Sequence, residues 1–114
     1  MTQEEENNFD AFLSRIGEEK KKGRSINISA SYLKDFLMSL EEKNGNEDEE
    51  ELLLWLNIAG SFYHFFKNLS LVEKDCFRED AKIIYFNLRE RSMKHPILFS
   101  ERELLAKIEK LTIA

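Results

Sequence analysis

The stretch from Leu52 to Phe66, LLLWLNIAGSFYHFF, runs fifteen residues without a charge. As an α-helix it reaches ~23 Å at ~1.5 Å per residue, short of the ~30 Å hydrocarbon thickness of a bilayer. It also carries Asn57 and His64. It therefore reads as a buried helix of a globular fold and not as a membrane span. Projected at ~100° per residue, Asn57, Ser61, His64 and Asn68 fall on one narrow line, flanked by Gly60 and Lys67. Leu52, Trp55, Ala59, Phe62, Phe66 and Leu69 lie opposite. Ile58 with Phe65, and Leu56 with Tyr63, widen the apolar arc on either side. A helix apolar around most of its girth belongs at the centre of a bundle.

The rest of the chain supplies helices to cover it. Phe9, Phe12, Leu13 and Ile16 make one face of a helix from about Gln3 to Lys21, with Thr2 and Glu5 as a capping box. A loop around Gly23 follows. Tyr32, Leu33, Phe36, Leu37 and Leu40 stripe a second helix capped by Ser29 and closed near Gly45. Asn46 and the acidic run EDEEE open the third helix, over about 47–68; negative charge there complements the helix dipole. Ser70 and Glu73 form a capping box for a fourth helix over about 71–92. Pro96 ends it. Ser100 and Glu103 form another box, for a last helix bearing Leu104, Leu105, Ile108 and Leu111. The chain has one Pro and four Gly, too few turn residues for a β-rich fold. The expectation is an all-α, single-domain antiparallel bundle of about five helices spanning 1–114, with the third helix central.

The fourth helix carries two apolar faces. Val72, Cys76, Ile83 and Phe86 make one; Phe77, Ala81, Ile84, Tyr85 and Leu88 make the other. One face suffices for docking on a bundle, and the second must also be covered, because contiguous exposed apolar patches are rare on monomers. The last helix, a partner chain or a second copy can cover it. This singles out Phe77, Ile84, Tyr85 and Leu88 as an interaction surface, together with the small polar line Asn57, Gly60, Ser61, His64 and Asn68.

Signatures of catalysis are missing from the sequence. Metal sites need clustered His, Cys, Asp or Glu; the Glu-x-x-His pattern of di-iron bundles does not occur, and the one cysteine, Cys76, sits on an apolar face. The glycines are scattered, so no loop is built to cradle phosphate. The reading is a non-enzymatic helical interaction module without metal or cofactor, partnered by another protein or by a second copy of itself. The acidic opening MTQEEENNF does not read as a signal peptide, and a single cysteine fits a reducing compartment, so a cytoplasmic location is expected.

Two further functions have local support. HFFKNLS resembles the phosphoacceptor stretch of histidine-containing phosphotransfer domains, which carry His, then Lys three on, Gly four on and Ser six on. His64, Lys67 and Ser70 match; Asn68 stands at the glycine position. The resemblance implies a helical carrier that takes a phosphoryl group on His64, with Lys67 stabilising its charge. The other function is weak binding of nucleic acid or an anionic surface through Lys20, Lys21, Lys22 and Arg24 and through Arg89, Arg91 and Lys94. The net charge of −5 argues against that reading, although the charge is uneven: 7 basic and 14 acidic residues up to Asn57, 10 and 8 from Ile58 on.

Overall fold

The computed structural model describes residues 2–23, 27–43 and 49–113, with side chains over 4–23, 30–41 and 50–112. The described residues form six helices: α1 (Thr2–Lys21), α2 (Asn27–Lys43), α3 (Glu49–Phe66), α4 (Leu71–Cys76), α5 (Arg78–Ser92) and α6 (Phe99–Ile113). No strand occurs among the described residues, and none of the helices is long and apolar enough to cross a membrane. The side chain of Thr2, the caps expected at Gly45 and Asn46, and the cation Arg24 lie outside the described residues.

The bundle is all-α with α3 at its centre. Helices α1, α5 and α6 pack on α3, and α5 also contacts α2 and α6. The core-facing arc read from the sequence is buried: Leu52, Trp55, Ala59, Phe62, Phe66 and Leu69, widened by Leu56 and Ile58. Phe9, Leu13 and Ile16 of α1, Leu33, Leu37 and Leu40 of α2, and Ile108 of α6 complete the same cluster. Phe36 of α2 stands 6.3 Å from Phe9 and 6.2 Å from Phe12 between ring centres, tying α2 to α1. Leu53, four residues before Asn57 and so on the polar line, is exposed.

Helix ends follow local chemistry in some places and tertiary packing in others. Gly23 takes φ of 75°, a left-handed conformation that suits glycine, and its N–H donates to Lys20 O at 3.0 Å, closing α1. The box at the start of α4 forms as expected: Ser70 Oγ accepts from Glu73 N at 3.3 Å, and Ser70 N donates to Glu73 Oε1 at 2.7 Å. Lys20 reaches the same carboxylate at 2.9 Å. The Ser70 backbone N–H first, then Lys20, hold Glu73 below the usual carboxylate range.

Three boundaries differ from expectation. Helix α2 starts at Asn27, so Ser29 lies inside it. At α6 the acid that caps is Glu101 and not Glu103: Leu98 N donates to Glu101 Oε1 at 2.7 Å, which starts the helix ahead of Ser100. The helix expected over 71–92 is two helices, broken at Phe77 (φ −115°, ψ 10°). No Gly or Pro marks the break. Phe77 is instead buried edge-on against Phe65, 5.2 Å between ring centres, and its N–H bonds back to Lys74 O at 3.0 Å.

The inner face of α5 also carries polar groups into the core. Asp80, Asn87 and Arg91 are all buried. Arg91 Nη1 donates to Asn87 Oδ1 at 2.9 Å, and Asn87 Nδ2 donates to Glu41 Oε2 of α2 at 2.6 Å. The Arg91 guanidinium stands 5.4 Å from the Trp55 ring centre and 3.9 Å from buried Glu51 of α3. Asp80 Oδ1 has no hydrogen-bond partner among the described residues. Burial pushes the Asp80 carboxyl up to about 7, with Lys34 opposing the rise and Glu79 adding to it.

That shift sets a pH dependence. A carboxyl whose folded pKa exceeds its unfolded value holds its proton more tightly in the folded state. The protonated form therefore stabilises the fold at low pH, and the contribution is lost as pH rises from about 4 through about 7. Urea unfolding of wild type and Asp80→Asn should show the variant gaining about 2–3 kcal/mol on wild type between pH 5 and pH 8. An equal difference at both pH values contradicts a neutral Asp80.

Candidate interaction surface

The two apolar faces of residues 71–92 are real, but their roles are the reverse of those expected. Phe77, Ala81, Ile84 and Leu88 recur at helical spacing and are fully buried. Phe77, Ile84 and Leu88 are therefore not an interaction surface: they turn inward because α3 needs apolar cover, and this line is the one α5 offers it. Tyr85, on the flank toward α6, is half-buried and donates its hydroxyl to Glu109 Oε2 at 2.5 Å. That bond first, then burial, holds the Tyr85 phenol above its usual range.

The other face divides: Cys76 and Ile83 are half-buried and pack against the core, while Val72 and Phe86 are exposed. Phe86 and Met93 are seven residues apart, about 20° from each other in projection and roughly opposite Ile84. Phe86 is 58% exposed and Met93 71%. Helix α6 runs back along α5: Tyr85 meets Glu109, and Arg78 Nη1 donates to Leu111 O at 2.9 Å. Pairing 85 with 109 and 78 with 111 places Met93 opposite the first residues of α6. Those residues are Leu98, 68% exposed, and Phe99, 77% exposed. Phe86 and Met93 on α5 and its end, and Leu98 and Phe99 at the turn into α6, are thus four large apolar side chains left exposed in this part of the fold. Leu71 and Val72, at the start of α4, are exposed at the opposite end of α5.

Periodicity could find both faces; it could not say which one packs. The available signal was polar. Lys82, Arg89 and Glu90 flank Phe86 and are exposed, as fits an outer face. Asn87 and Arg91, on the inner face, misled the other way because both are polar yet buried.

The polar line on α3 is at the surface for most of its length. Asn57, His64, Lys67 and Asn68 are exposed, while Gly60 and Ser61 are half-buried. Asn57 and Ser61 line a groove of about 350 Å³ against Glu6, Asn7 and Asp10 of α1. Helix α3 ends at Phe66, and Asn68 Nδ2 donates to His64 O at 3.0 Å, capping the last turn. Lys67 and, from α6, Lys107 stand 6.0 and 5.5 Å from the Tyr63 ring centre. Lys107 was not foreseen, since only the fold brings it to this end of α3.

The basic clusters do not merge into one face. Lys20 is tied to Glu73 near the start of α5, whereas Arg89 and Lys94 lie at its far end, ~20 Å along a 15-residue helix. Arg91 is buried against Trp55 and withdrawn from solvent. Cys76 is half-buried. Among the described residues, no group of three or more His, Cys, Asp or Glu could hold a metal ion.

No protein-family model matches the chain, and neither does any curated protein or solved structure.

The face assignment makes opposite demands on neighbouring residues. Phe77→Ala and Leu88→Ala should each lower stability by about 2–5 kcal/mol, as truncations of buried side chains do. Phe86→Asp and Phe99→Asp should change it by less than about 0.5 kcal/mol. Urea midpoints of the four variants check this; equal losses at Leu88 and Phe86 contradict it.

Proposed function

We propose that this chain is a non-enzymatic helical interaction module that docks a protein partner on the outward face of α5 and the first residues of α6. The observation that carries the reading is the exposure of Phe86, Met93, Leu98 and Phe99 on a bundle whose inner faces already satisfy one another. Each of these four large apolar side chains is more than half exposed. Charged residues rim them, the arrangement of a docking surface with an apolar centre. The half-exposed polar line on α3 is a separate, weaker contact surface with no large apolar anchor beyond Leu53.

The test is particle size in extract of the source cells at native concentration. The wild-type chain should migrate in a particle larger than its own 13.5 kDa, and Phe86→Asp should return it to the position of the free chain. A wild-type chain that runs free removes the reading.

A second reading, phosphotransfer through His64, is favoured by the exposed imidazole and by two lysines, Lys67 and Lys107, around the adjoining Tyr63 ring. The Tyr63 ring, edge-on to His64, and the exposed Asn68 side chain stand where a receiver domain would need close approach. Incubation with phosphorylated receiver domains should therefore leave the wild type unlabelled. Label on wild type that is lost in His64→Gln would reverse the order of the two readings.

A further inference from the structure

We propose that Asp80 is a pH-sensitive latch on α2: with its proton it lets α2 lie closed on α5, and without it α2 opens ahead of the rest of the bundle. The geometry is that of the seam between the two helices. In projection at ~100° per residue, the inner line of α5 through Phe77, Ala81, Ile84 and Leu88 has two flanks. Tyr85 marks the flank toward α6, where it meets Glu109. Asp80 and Asn87 share the other flank, and Asn87 Nδ2 donates to Glu41 Oε2 of α2 at 2.6 Å. Lys34 precedes Glu41 by the same seven residues that separate Asp80 from Asn87, and its charge acts on Asp80. The two helices thus run parallel along this seam, with Asn87 and Glu41 as a closed polar rung and Asp80 and Lys34 as an open one. Asp80 is 1% exposed, and its Oδ1 has no hydrogen-bond partner among the described residues.

A buried carboxyl with an unbonded oxygen is tolerated when neutral and costly as an ion. Its charged surroundings do not cancel that cost. On α5 itself, Glu79 has the same sign and is paired with Lys82 at 3.4 Å. At the end of α4, Asp75 holds Arg78 at 2.9 Å. Glu109 of α6 is occupied by Tyr85, Lys107 of α6 stands over Tyr63, and Glu51 of α3 lies by Arg91 at the far end of α5. Lys34 of α2 eases the cost, but it is exposed, and water weakens its pull. The flank that carries Asp80 faces α2, so lifting α2 is the smallest movement that brings water to the ion. Helix α2 packs chiefly on α5, whereas α3 is held by α1, α5 and α6. Ionisation works against the seating of Leu33, Leu37 and Leu40 in the core and leaves the packing of α1, α3 and α6 intact.

Amide hydrogen exchange of the full chain, with rates divided by those of the unstructured sequence, reads the opening of each helix. Amides of α2 should be less protected than those in the middle of α3 at both pH 5 and pH 7. A carboxyl that titrates at about 7 when closed and at about 4 when open gives up its proton on opening. Protection of α2 should therefore fall about 50-fold from pH 5 to pH 7. In Asp80→Asn it should be the same at both. Protection of α2 equal to that of α3 at both pH values means that α2 opens only with the whole bundle, and overturns the latch. So does a wild-type α2 whose protection does not change with pH, or a fall that persists in Asp80→Asn. The comparison of α2 with α3 is internal to the wild type and stands even where the variant fails to fold.

Discussion

The burial of α3 is the constraint on which the rest of the fold depends. From Leu52 on, its side chains are apolar on every side except one line, and that arc is driven out of water. Fully burying each large residue contributes about 1.5–3 kcal/mol, and Trp55, Phe62 and Phe66 are all buried here. Such a helix must be enclosed on three sides, and α1, α5 and α6 do this. The enclosure commits Phe77, Ala81, Ile84 and Leu88 of α5 to the interior. Once those are committed, Phe86 and Met93 have nowhere to go but outward. The candidate docking surface is thus a consequence of how the central helix is covered.

The same enclosure explains the polar groups that accompany the core. Arg91 reaches in over Trp55 because the inner line of α5 continues to that position, and its charge is met by Asn87 and Glu51. Asn87 extends the connection to Glu41 of α2. Removing one member of such a set leaves a buried group unpaired, which costs more than the bonds themselves contribute. Asp80 follows a different rule. With Oδ1 unbonded and the carboxyl buried, it avoids the cost of a buried charge by keeping its proton near neutral pH.

Much of this was legible in the residues. The fifteen-residue uncharged run announced a central helix, and its helical projection separated the buried arc from the line through Asn57, Ser61 and His64. Ser70 and Glu73 announced a helix start, because a capping box is a local device completed within four residues. The break at Phe77 was not legible, because nothing local causes it; Phe65, twelve residues away, draws the ring inward. The polarity of the two α5 faces was hidden for a related reason. Both carry enough apolar residues to pack, and the choice depends on how α3 and α6 present themselves. Arg91 looked like part of a basic cluster because its charge is visible in the sequence and its burial is not.

The central claim is that α3 is enclosed on all sides except one line. It is tested most directly by thiol reactivity around its girth, in a Cys76→Ala background. Asn57→Cys should react with a soluble thiol reagent at the rate of an open side chain. Ala59→Cys, two residues away and fully buried, should react only as fast as the whole bundle unfolds. Comparable rates at the two positions would mean that α3 is not the enclosed axis of this fold.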